Sequence, residues 1–175
     1  MGEFIKIPED RVGALIGKGG KTKAMIGDRC KVKLDVTKDG GVTIESPDED
    51  GLAEWQASSI VKAIGRGFNP KIAITLLKEG LVLDIIDLYS ILGRKDAALL
   101  RMKSRIIGEG GKARRVIEGL TSTRISVYGK TVSIIGLEED VETTRKGINM
   151  ILSGAQHQSV YKFLEGNSRE RRQGL

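Results

Sequence analysis

A single cysteine, Cys30, and a single histidine, His157, stand in this chain of 175 residues. No intramolecular disulfide can form, and a zinc site built from Cys and His is excluded. Catalytic triads that use a histidine base have only His157 to draw on. It lies between Gln156 and Gln158, where a helix-surface histidine explains it better than catalysis does. Aromatic residues make up 4% of the chain, too few for a surface that stacks bases on aromatic rings. Long apolar runs are missing, and none approaches the roughly 18 residues of a membrane-spanning helix. Residues 1–6, MGEFIK, have neither an apolar signal core nor an Arg/Ser-rich transit character. A cytoplasmic protein is the expectation.

The chain does hold charge, 30% of its residues, with a formal net charge of +6. A basic balance favours a polyanionic partner, and its distribution says more. Residues 17–38 carry seven Lys/Arg against Asp28 and Asp35, and residues 101–130 carry eight against Glu109 and Glu118. Acidic residues gather elsewhere, in Asp48-Glu49-Asp50 and Glu138-Glu139-Asp140. The basic excess is thus concentrated twice.

That doubling reflects an internal repeat. Residues 16–26 (IGKGGKTKAMI) lie over 107–117 (IGEGGKARRVI) at a constant shift of 91, and Lys33-Leu34-Asp35-Val36 falls on Arg124-Ile125-Ser126-Val127 at the same shift. One residue of slack sets Val42-Thr43-Ile44 on Val132-Ser133-Ile134, and Ile60, Ala63 and Ile64 then lie over Ile148, Ile151 and Leu152. Within the first copy, hydrophobic periods predict a short strand at Phe4, Ile5 and Ile7 and a helix from Glu9 through Ile16. Glycines 17, 19 and 20 stop that helix. A second one follows to about Asp28, burying Met25 and Ile26, then a strand over 31–36, a turn at Asp39-Gly40-Gly41 and a strand over 42–45. A last helix opens at Ser46-Pro47-Asp48 and carries Leu52, Trp55, Ile60, Val61 and Ile64. Its acids sit near the positive end of the helix dipole, and Trp55 reads as core or domain interface.

The second copy repeats the plan with a strand over 81–88 and helices over 96–107 and 112–120. Strands over 124–127 and 132–135 flank a turn at Tyr128-Gly129-Lys130, and a long helix runs from Glu138 to about Leu152. Residues 89–95 are extra and read as a longer loop or helix extension. The predicted organisation is a first domain over 1–66, a linker turn and short helix over 67–80, a second domain over 81–154, and a C-terminal helix and basic tail over 155–175. In the linker, Ile72, Ile74, Leu76 and Leu77 are expected to pack the two domains together. The tail over 167–175, with Arg169, Arg171 and Arg172, reads as polar and frayed.

A helix–Gly-x-x-Gly–helix turn lets a sugar–phosphate backbone come close, because glycine has no Cβ and takes φ values other residues resist. The next helix then points free N–H groups and its positive dipole end at the phosphates. Lys21 and Lys112 add charge just past the turns. On these residues each copy resembles a KH domain. The fold implied is α+β, two tandem type I (eukaryotic-type) KH domains, each a three-stranded antiparallel-containing sheet packed by three helices. The resemblance implies that the loops clamp unpaired RNA, with bases facing an apolar groove between the second helix and the second strand. The expected RNA-binding residues are Ile16, Gly17, Lys18, Gly19, Gly20, Lys21, Lys23 and Lys33 in the first copy. In the second they are Lys103, Arg105, Ile107, Gly108, Glu109, Gly110, Gly111, Lys112, Arg114, Arg115 and Arg124.

The tandem pair, residues 107–118 (IGEGGKARRVIE), the strand Thr123-Arg124-Ile125-Ser126-Val127 and the closing helix with its basic tail resemble a narrower group. These are the archaeal ribosome-assembly KH proteins related to the partner-of-Nob-one (Dim-two-like) family. That resemblance implies binding of single-stranded RNA near the 3′ end of 16S rRNA or its precursor during ribosome assembly. It also implies cooperation with the rRNA-maturing endonuclease of the Nob family and contact with the alpha subunit of translation initiation factor two. It implies no cofactor, no metal and no catalysis.

Two departures from the common KH pattern stand out. Lys23 and Arg114 occupy places that are usually apolar, and both are expected to face solvent or phosphate while Ile26 and Ile117 hold the helices down. Glu109 puts a carboxylate where the first loop has Lys18. Either it points away from the phosphate, or the second loop relies on Lys112, Arg114 and Arg115. Nucleotide-binding loops fit poorly. Gly20-Lys21-Thr22 ends like a Walker loop, but Leu15 stands where that motif needs glycine. Gly108-x-Gly110-x-x-Ala113 follows a predicted helix rather than a strand. Two competing readings are a protein-docking module that uses the linker helix or the Trp55 face, and a metal-dependent RNA-processing enzyme with Asp84 and Asp87. Carboxylates at helix starts argue against the second.

Overall fold

The computed structural model describes residues 2–174, without the side chains of residues 171–173. By its contacts the chain divides into two units, Met1–Glu79 and Gly80–Leu175. In the first unit, β1 (Glu3–Lys6) leads through a 3₁₀ turn at Glu9–Arg11 into α1 (Val12–Ile16). The glycine turn and α2 (Lys21–Cys30) follow, then β2 (Lys33–Val36), β3 (Gly41–Glu45) and α3 (Gly51–Gly65). The segment that follows forms α4 (Pro70–Ala73) and a 3₁₀ turn (Ile74–Leu77), which pack on α3 within this unit.

In the second unit, β4 (Leu81–Asp87) is followed by α5 (Leu88–Leu92), α6 (Asp96–Ile107), the second glycine turn and α7 (Lys112–Thr121). After these come β5 (Arg124–Tyr128), β6 (Thr131–Leu137), α8 (Glu138–Leu152) and α9 (His157–Gln173). Residues 89–95, read as an insertion, supply most of α5 and the bend at Gly93.

Each sheet is antiparallel with its last strand in the middle, in the orders β1-β3-β2 and β4-β6-β5. The registers reproduce the repeat. Leu34 pairs with Ile44 as Ile125 pairs with Ile134, which preserves the single residue of slack. All four are buried, because a strand of period two turns one side to the helices. Across the other edge, Ile5 faces Val42 and Ile86 faces Val132. The shift between copies is therefore 81 before the helices and 91 after them, so the second copy holds ten additional residues there.

The first core closes around Leu15, Ile26, Ile44, Ile60 and Ile64, and the second around Ile106, Ile117, Ile134, Ile148 and Ile151, all fully buried. Each such side chain contributes about 1.5–3 kcal/mol of apolar burial. Val160 and Leu164 of α9 join the second core, so this helix is part of the unit's packing. Leu164 lies over Gly147, where a Cβ would sit 3.2 Å from Leu164 Cδ2. The tail read as frayed is helical through Gln173. The expectations for Arg171, Arg172 and Leu175 concern side chains and a residue outside those described.

Several sequence expectations are corrected. Residue 31 is not yet strand: Lys31 ends α2 with φ +58°, and α2 reaches Cys30 rather than Asp28. Met25 is half-buried, while Ile26 and Cys30 are buried. The helix expected at Ser46 begins at Gly51, because Asp50 supplies the cap, accepting from the N–H groups of Leu52 (3.0 Å) and Ala53 (3.2 Å). Ser46 Oγ instead accepts from Asp50 N. Trp55 is not core. It is 59% exposed on α3, beside the exposed Leu52.

Candidate nucleic-acid interface

The two glycine turns have the same backbone. Gly17, Gly19 and Gly20 take φ/ψ of 75/172°, 63/22° and 76/11°. Gly108, Gly110 and Gly111 take 75/173°, 60/20° and 79/11°. The first glycine of each turn lies in a region essentially reserved for glycine, and packing forbids a side chain there as well. A Cβ at Gly17 would collide with Thr22 Oγ1 and come 2.8 Å from Thr22 N, and one at Gly108 would come 2.7 Å from Ala113 N. The middle glycines are different: a Cβ on Gly19, Gly20 or Gly110 would meet nothing within 4 Å. Open space thus lies over the first turn and over Gly110, while a Cβ on Gly111 would come 3.1 Å from Arg115 Nη1.

The helices behind the turns are left uncapped. Gly20 and Gly111 are the N-caps of α2 and α7, and no side chain bonds to either helix start. Asp50, Asn69 and Asp87 cap α3, α4 and α5, while α6, α8 and α9 share the lack of a side-chain cap. The N–H groups of Lys21 and Lys112 donate to the carbonyls of Lys18 and Glu109 through the 3₁₀ turns, so what each helix start offers an anion is its positive dipole end and its lysine. Lys18 and Lys21 are exposed at the first turn and Lys112 at the second, while Ile16 and Ile107 are half-buried beneath them.

From the first turn an open groove of about 460 Å³ runs between α2 and β2, lined by Gly20, Lys23, Ala24, Gly27, Leu34 and neighbours. Lys23 lies on its wall. Lys33, at its edge, is exposed and pairs with Asp35 at 3.7 Å.

The second turn is braced from its own helix. Arg115 Nη1 donates to the Gly110 carbonyl at 2.7 Å, while Glu109 is exposed. Arg114 is held by Glu118, whose Oε1 accepts from Arg114 Nη1 at 3.1 Å. The other oxygen of Glu118 accepts from the backbone N–H of Ile125 at 2.8 Å and lies 3.6 Å from Arg124 Nε. Glu118 therefore ties α7 to the edge strand β5 across the place where the first groove is open. Sequence reading counted it only as an acid among bases. Its signal was the spacing of four from Arg114.

A second feature without a sequence signal is a buried run of hydroxyls. Thr121 donates to the Ile117 carbonyl (2.7 Å) and shares a hydrogen bond with Thr123, which shares one with Thr144. This run joins α7, the start of β5 and α8.

Two of the expected residues, Lys103 and Arg105, lie on α6. Lys103 is half-buried. Arg105 is committed elsewhere: Nη1 donates to the Ile151 carbonyl at 2.9 Å and Nη2 to the Ala155 carbonyl at 2.5 Å. His157 Nε2 donates to the Arg105 carbonyl at 2.8 Å, so the one histidine fastens the start of α9.

The carboxylates considered for metal chemistry are engaged as well. Asp84 receives Arg145 Nε and Nη2 at 2.6 and 2.8 Å, a bond that raises the guanidinium pKa. Asp87 caps α5 through Tyr89 N at 3.0 Å. Among the described residues no cluster of three His, Cys, Asp or Glu could hold a metal ion, and no helix is long and apolar enough to cross a membrane.

Comparison with known proteins agrees with this geometry. A family model described as "Eukaryotic type KH-domain (KH-domain type I)" matches residues 82–169, and one described as "KH domain" matches residues 2–55. A KH domain-containing protein of Methanocaldococcus jannaschii is 48% identical over 165 residues, which are 93% of this chain and 72% of that one. The pre-rRNA-processing protein PNO1 of Chaetomium thermophilum is 33% identical over 91% of this chain and 63% of its own length. The crystal structure of Dim2p from Pyrococcus horikoshii has a TM-score of 0.88 and 45% identity, covering 94% of this chain and 98% of that one. Another structure, of a complex of a/eIF2alpha, aDim2p and rRNA from the same organism, gives 0.91 and 44%, covering 97% and 95%. With both repeats matched and relatives aligned over nearly its whole length, the chain belongs to the Dim2/PNO1-like family of proteins with two KH domains.

Proposed function

We propose that the protein binds unpaired RNA near the 3′ end of 16S rRNA or its precursor and acts in small-subunit rRNA processing without catalysing cleavage itself. The observation that carries this reading is the pair of glycine turns with matching backbone, open over Gly19, Gly20 and Gly110, each leading into a helix with a lysine at its first position. Phosphates resting there gain the positive dipole end and a cation together. Tethering two modest sites raises affinity through effective concentration. The rRNA in the Pyrococcus Dim2p complex and the pre-rRNA-processing role of Chaetomium PNO1 support the choice of RNA.

The a/eIF2alpha in that same complex supports the alpha subunit of initiation factor two as a protein partner. The Nob-family endonuclease belongs to the proposal through the family resemblance. Fluorescence anisotropy with an oligoribonucleotide of the 16S 3′ region tests the reading. Binding that weakens with salt is expected, and no binding to any single-stranded RNA would refute it. Labelled RNA incubated with magnesium or manganese is expected to stay intact. Cleavage lost on Asp84→Ala would instead make the protein a nuclease.

A further inference from the structure

The two copies differ where a base would lie. At the shift of 91, Glu118 falls on Gly27, Arg114 on Lys23, Arg124 on Lys33 and Ile125 on Leu34. In the first copy Gly27 leaves the groove between α2 and β2 open. In the second, the Glu118 carboxylate stands between α7 and β5 and takes the outward N–H of Ile125 on the sheet's edge. Arg114 and Arg124 flank it, and its side chain is only 13% exposed.

A base entering from the Gly110 turn would therefore meet a carboxylate rather than a bare strand edge. Each of its oxygens already accepts one hydrogen bond and keeps a second lone pair, which a donor on an overlying base can use. Cytosine and adenine present an amino group, and the flanking guanidiniums can donate to the adjacent ring nitrogen. Uracil places a carbonyl oxygen where the amino group would be, against the carboxylate.

We propose that Glu118 is a specificity-determining residue of the second domain, selecting bases that carry an exocyclic amino group over uracil. The inference rests on the RNA-binding reading of the second groove. The first groove, with glycine in the same place, has no such selector. The two domains thus read different features of one strand.

The test uses the full chain carrying Gly19→Asp, which silences the first turn, and compares 12-nucleotide oligo(rC) with oligo(rU) by anisotropy. Oligo(rC) is expected to bind more tightly on the order of tenfold. Adding Glu118→Gln keeps an acceptor for Ile125 N–H and supplies a donor, so the ratio should fall towards one. Glu118→Ala, checked for folding by circular dichroism, should abolish it too. Binding of both oligonucleotides with an unchanged ratio in the Gln variant, or with no preference before Glu118 is changed, overturns the role of Glu118 and leaves the clamp standing. Binding seen only when Gly19 is intact overturns the selector, because the second groove then holds no RNA by itself. No binding with or without Gly19→Asp overturns the clamp as well.

Discussion

Arg105 closes the end of α8 by donating to the carbonyls of Ile151 and Ala155. Arg11 does the same for α3, with Nε on the Ile64 carbonyl at 2.8 Å and Nη2 on the Phe68 carbonyl at 3.0 Å. Both arginines lie just upstream of a glycine turn, and each adds one hydrogen bond to a last-turn carbonyl that already accepts a backbone N–H and one to the loop beyond the helix. Their places in the repeat are not equivalent, since the shift of 91 puts Arg11 over Met102. Arg105→Ala is expected to cost about 2 kcal/mol, the scale of a charged hydrogen bond to partly buried backbone. It should leave the salt dependence of RNA binding unchanged. Urea unfolding and a salt titration check this. A lowered salt slope with unaltered stability would return Arg105 to the RNA-binding surface.

That pair shows what the sequence makes legible and what it hides. The glycine turns, the strand registers and the core positions follow from local geometry, so they recur from one copy to the next: Leu34 with Ile44, and Ile125 with Ile134. Arg105 was read as an RNA contact because it lies in a basic stretch. Its real partners are backbone carbonyls some fifty residues away, and a carbonyl leaves no trace in a sequence. Glu118 was missed for a related reason, because its third partner is the N–H of Ile125. Helical spacing reads Trp55 as core or domain interface, and its exposure excludes the core. The period of α3 is real, but Ala53, Ala57, Ile60 and Ile64 already fill its buried stripe.

The glycines of one turn should separate folding from binding. Gly108→Ala forces a Cβ against Ala113 in a backbone region essentially limited to glycine, at about 1–3 kcal/mol for the conformation alone. A lower unfolding midpoint is expected. Gly110→Asp places its side chain in open space at φ +60°, which Asp tolerates better than most residues. It should unfold near the parent midpoint yet lose RNA affinity in a gel shift, because a carboxylate then sits where phosphate would rest. Unaltered affinity would show that the turn does not touch the strand.

Lys112 is exposed at the first position of α7, behind an N-cap with no side chain of its own. If its ammonium neutralises one phosphate, Lys112→Ala should lower the slope of log K against log salt by about one and weaken binding alike for all sequences. Glu109→Lys should raise the slope, since it restores to the second turn the charge that Lys18 gives the first. A slope indifferent to both changes would put the backbone path elsewhere.

Cys30 lies at the end of α2, 5% exposed, and burial raises its thiol pKa. The folded chain should resist a thiol-modifying reagent at about pH 8, just below the ordinary thiol range, and urea should release the full reaction. The sign of the pH effect follows from the raised value. The unfolded thiol loses its proton first, so this contribution to stability is complete below the ordinary thiol range and fades as pH climbs through it. Rapid modification of the folded protein would mean that α2 frays at its end.

Ser133 sits on the central strand β6, paired with Ile85 on one side and Ser126 on the other. It is fully buried, and among the described residues its hydroxyl has no hydrogen-bond partner. A hydroxyl stripped of water without compensation costs about 1–3 kcal/mol. Replacing it with a methyl removes the cost and little volume. Ser133→Ala should therefore unfold at the same urea midpoint as the parent or a higher one, with RNA binding intact. A clear drop would reveal a water bonded to this oxygen. Ser133→Val would then tell filling from bonding, because a branched side chain would displace that water and lower the midpoint further.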